Sequence, residues 1–60
     1  MNYEEIINAI SRSYDLVEAA QQELCVKDNL TEDEECFLRV SPNILKSYND
    51  EIAMFINLKH

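Results

Sequence analysis

Four consecutive acids, Glu32-Asp33-Glu34-Glu35, are the first residues in this sequence whose type and spacing suggest chemistry. Such a run can hold a divalent cation, or stand in for the phosphates of a nucleic acid. A calcium loop, however, turns back around its ion, usually with a glycine at the sharp bend, and this chain has no glycine. On a helix, consecutive carboxylates point in different directions. The run therefore reads first as negative charge set against the positive end of a helix, on a solvated face. Its functional reading is an acidic surface that recruits a basic partner.

Cys25, Cys36 and His60 make the other candidate set. Two Cys and one His fall one ligand short of a four-coordinate zinc site, and no Cys-x-x-Cys pair is present. A Cys–His nucleophile needs a base held rigidly beside the thiol, an oxyanion site and a pocket. A glycine-free chain of 60 residues has little room for that pocket. Paired carboxylates acting as acid and base meet the same objection, because nothing here suggests a cleft that would shift their pKa values. Phosphate-cradling loops and dinucleotide fingerprints are excluded by the missing glycine. The expectation is a protein with no catalytic residue, no cofactor, no metal and no small-molecule substrate.

Charge narrows the partners. Twelve acids against five bases give a formal charge of −7 with His60 neutral. Direct contact with DNA, RNA or an anionic membrane would be repulsive. The cations Arg12, Lys27, Arg39, Lys46 and Lys59 are scattered, and a recognition helix over 42–58 would offer only Lys46 and Lys59. Hydrophobic residues make up 47%, too many for a disordered chain. The opening Met1-Asn2-Tyr3-Glu4-Glu5 is acidic with no apolar run behind it, unlike a secretion signal, and no apolar segment is long enough to span a bilayer. The expected location is the cytoplasm, with both thiols reduced and packed as small hydrophobes.

The elements that must position these residues are helical. Tyr3, Ile7, Ile10, Tyr14, Val17, Gln21 and Leu24 follow alternating steps of four and three, a heptad seam with one polar interruption at Gln21. Ile6, Ala9, Leu16 and Ala20 widen the stripe to nearly half the circumference, more than one neighbouring helix covers. A helix over 2–25 follows, with Asn2 as N-cap and Glu4 and Glu5 in its first turn. Glu23 with Lys27, and Glu35 with Arg39, are spaced as four-apart ion pairs. Asp28-Asn29 marks a turn. Thr31 and Glu34 read as a capping box that starts a second, acidic helix. Pro42 inside a helix would cost roughly 3 kcal/mol, whereas Ser41-Pro42 suits the start of a new one, so a break is expected at Ser41. The competing pattern is Leu38, Ser41, Leu45, Tyr48, Ile52 and Phe55. These keep one heptad phase across the proline, as would a single kinked helix from Thr31 to Asn57.

The fold class expected is all-α, a single small domain over 1–60. It is a helical hairpin or a three-helix unit: a long first helix, a short acidic helix, and a last helix after Ser41-Pro42. The function expected is a non-enzymatic acidic interaction or regulatory protein. It would associate with itself as a dimer or with another protein, and its size and character suit an accessory protein of a bacterium or bacteriophage. The interface residues are Ile6, Ile10, Val17, Leu24, Tyr48, Ile52 and Phe55, with Met54 and Leu58 extending apolar surface off the main stripe. The alternative is an acidic decoy that occupies a nucleic-acid-binding protein through Glu32, Asp33, Glu34 and Glu35. On the first helix it would also use the partly charged face of Glu4, Asp15 and Glu18.

Overall fold

The computed structural model describes residues 1–59. Two α-helices, α1 (Tyr3–Cys25) and α2 (Glu32–Lys59), pack antiparallel across a six-residue connection, and no strand occurs among the described residues. Tyr3 meets Phe55 at the open end of this hairpin, with ring centroids 5.9 Å apart, and Lys27 meets Glu34 at the turn end. The hairpin is long and thin, 46 × 15 × 15 Å.

Each helix starts where its capping residues allow. Asn2 is extended and its side-chain oxygen accepts from the backbone N–H of Glu5 at 2.8 Å, which satisfies one of the free amides of α1. At the second start, Thr31 Oγ1 accepts from the Glu34 N–H at 3.2 Å, and Glu34 Oε1 accepts from the Thr31 N–H at 2.9 Å. That is the reciprocal capping box the residue spacing implies.

Neither expected ion pair forms. α1 ends at Cys25, so Lys27 lies beyond the helix and its side chain is free to cross the turn. It donates to both carboxylate oxygens of Glu34, at 2.9 and 2.7 Å, rather than to Glu23. Arg39 lies 3.6 Å from Cys36 Sγ rather than pairing with Glu35. Glu34 thus joins the turn, the cap and the helix start. The Lys27 ammonium, then the Thr31 amide, hold its carboxyl below the usual glutamate range. A carboxyl lowered by folding stabilises fully above its unfolded pKa, about 4.3, and less as pH falls through the lowered folded value. Unfolding followed by circular dichroism should show this acid-side loss in the native chain and a smaller one in Glu34→Gln. Equal pH dependence in both would remove Glu34 from this role.

The break expected at Ser41-Pro42 does not occur, and the three-helix unit is therefore corrected to two helices. α2 runs through Pro42 without interruption. Proline removes the amide that would have bonded the carbonyl of Leu38. Ser41 supplies a replacement, its hydroxyl donating to the Leu38 oxygen at 3.4 Å. The same hydroxyl oxygen accepts from Gln21 Nε2 of α1 at 2.6 Å. Ser41 is completely buried. The single heptad phase from Leu38 to Phe55 was the signal of a continuous helix. It outweighed proline because the seam would lose its register against α1 if the chain turned there.

Candidate protein interface

The hairpin leaves its apolar stripes unfinished. No hydrophobic side chain among the described residues is fully buried. A helix covers only the strip of its neighbour that it touches, and the stripe on α1 is wider than α2. Ile10, Val17, Tyr48, Ile52 and Phe55 lie in the seam between the helices and are half-buried there. Ile6 and Leu24 are half-buried along its edge. Met54 and Leu58 point away from the seam and stay 48% and 56% exposed.

Two shallow grooves flank the seam near the turn. One is lined by Ala20, Leu24 and Phe37 with Glu23, Asp33 and Glu34 at its rim. The other is lined by Gln21, Cys25, Leu38 and Pro42. Helical spacing extends the first groove into a face. Ala9, Ser13 and Leu16 stand eleven, seven and four residues before Ala20, and Val40 and Ile44 stand three and seven after Phe37. Leu16 is 72% exposed on this face. Leu16, Val40 and Ile44 are apolar residues of this face that heptad counting ranked too low. The width of the α1 stripe was the available signal for Leu16.

The polar positions of the two seams meet. Gln21 and Ser41 each interrupt an apolar pattern, and each is the other's partner. Leaving one buried polar group unpaired costs about 1–3 kcal/mol, whereas removing both partners together can be nearly neutral. Ser41→Ala should therefore destabilise the hairpin by that amount. Adding Gln21→Leu should recover the share due to the unpaired Gln21 amide in a urea-unfolding cycle, while the share due to the Leu38 carbonyl, which also loses its donor, remains. Additive losses would mean that the two side chains do not act as a pair.

The structure places the four acids of the run in two settings. Glu34 is half-buried and tied to Lys27 and Thr31, while Glu32, Asp33 and Glu35 are exposed. Cys25 and Cys36 are free thiols, but exposed rather than packed as expected, because the seam turns other residues inward. His60 lies outside the described residues. Among the described residues no group of three or more His, Cys, Asp or Glu gathers in metal-binding geometry, and no helix is long and apolar enough to cross a membrane. In comparison with known proteins, no family model, no curated protein and no solved structure matches this chain.

Proposed function

We propose that this chain is a non-enzymatic interaction protein that works by helix–helix association, with itself first and with a protein partner as the other use of the same surface. One observation carries the reading: no hydrophobic side chain of the hairpin is fully buried. A chain this short rarely gains more than roughly 3–5 kcal/mol from its own core, and small domains commonly make up the rest by association. The shape agrees. The radius of gyration is 14.0 Å, against about 10 Å for a compact domain of this length.

Association couples to folding, so the thermal midpoint should rise with protein concentration. Circular dichroism melts over a hundredfold range test this, and a midpoint independent of concentration would count against self-association. The exposed Glu32, Asp33 and Glu35 support a second reading, an acidic decoy for a nucleic-acid-binding protein. Salt separates the two. A decoy held by opposite charge loses affinity as salt rises, whereas two copies carrying −7 each repel less and associate better.

A further inference from the structure

We infer that the occupant of the open face is a second copy of this chain, lying antiparallel, with its turn end beside the terminal end of the first. This rests on the self-association reading and adds to it the face and the orientation.

Area favours a second copy. The hairpin exposes 4665 Å², whereas a compact protein of 7.0 kDa exposes about 4,000 Å². Two copies packed as closely as a protein of twice the mass would bury roughly 2,600 Å² between them, within the range of obligate homodimers. Side-by-side packing achieves this without changing the length. A compact chain of twice the residues has a radius of gyration of about 14 Å, the value the single hairpin already has.

The face formed by Ala9, Leu16, Ala20, Val40 and Ile44 suits that packing. Its middle carries no charge, and Leu16 stands out from it. The two alanines let a second backbone approach closely.

Charge sets the orientation. The midpoint of the hairpin falls near Tyr14 in α1 and between Leu45 and Lys46 in α2. Residues 15–45, the turn half, hold eight acids and two bases, a charge of −6. The remaining residues, the terminal half, hold four acids and three bases, a charge of −1. A turn-to-turn pair sets −6 against −6 over the turn half and −1 against −1 over the terminal half. The antiparallel pair sets each −6 half against a −1 half and brings Arg12, Lys46 and Lys59 beside the acid-rich half of the other copy. Like charges held within a Debye length repel, so the antiparallel arrangement is the one that avoids the large repulsion.

The test places one nitroxide at the turn through Asn29→Cys, on a Cys25→Ser, Cys36→Ser background. Asn29 is exposed in the connection and makes none of the cap bonds. Sedimentation equilibrium of the labelled protein first establishes its mass, and pulsed electron–electron resonance then gives the separation between labels. An antiparallel pair puts the two turns at opposite ends of a 46 Å particle, with labels about 40 Å apart. A dimer with labels closer than about 25 Å would overturn the orientation and leave the association standing. A monomer at all concentrations would overturn the reading on which it rests. Leu16→Glu tests the face: helical signal kept with at least tenfold weaker dimerisation is expected. Unchanged dimerisation would move the interface elsewhere.

Discussion

Ile52→Asp should yield a chain that neither folds nor associates. Ile52 sits in the seam against α1, half-buried in the hairpin. Losing a fully buried aliphatic side chain costs about 2–5 kcal/mol and a half-buried one falls at the lower end, to which an unpaired carboxylate adds a desolvation penalty. That equals or exceeds what the core of so small a chain supplies. Ile10→Asp, on the facing side of the seam, should behave in the same way. The contrast is Leu16→Glu, which changes a residue the hairpin itself hardly touches. Surface substitutions usually stay within about 0.5 kcal/mol, so any larger loss of stability there reports the second copy. Circular dichroism and sedimentation on all three variants separate folding from assembly. Native helical signal and unchanged mass in both Asp variants would contradict the seam as described.

Pro42→Ala should stabilise the protein by about 1–3 kcal/mol, less than the full proline penalty because proline also restricts the unfolded chain. The new amide at position 42 would reach the Leu38 carbonyl, releasing Ser41 to serve Gln21 alone. For a domain of this size each kcal/mol moves the midpoint by about 4–8 °C. A rise of that order in a thermal melt, with equal or greater helical signal, is the expected result. A lower midpoint would mean that proline is well placed where it stands, as it would be at the start of a separate helix.

That same segment shows where the residues spoke clearly and where they did not. The N-cap at Asn2, the Thr31–Glu34 box and the α1 seam are local or periodic features, and each is legible because its partners lie within one or two helical turns. Pro42 is different. Its local preference points to a helix start, and only the bond network of Ser41 with Leu38 and Gln21 makes the interior position tolerable. Gln21 lies twenty residues away from Ser41, so the pairing needs the hairpin register before it can be read. Lys27 shows a similar limit. Four-apart spacing selects Glu23, but α1 ends two residues before Lys27 and the turn hands it to Glu34. The open apolar face was legible as a stripe too wide for one neighbour. Its outer half, around Leu16, Val40 and Ile44, needed the position of α2 to be told from the seam.

Sedimentation equilibrium across a hundredfold concentration range, at low and at high salt, tests self-association through the open face most directly. The expected result is a mass that moves from one chain toward two as concentration rises, with the transition at lower concentration in high salt because two chains of −7 are screened from each other. A single-chain mass under every condition, with full helical signal, would contradict it.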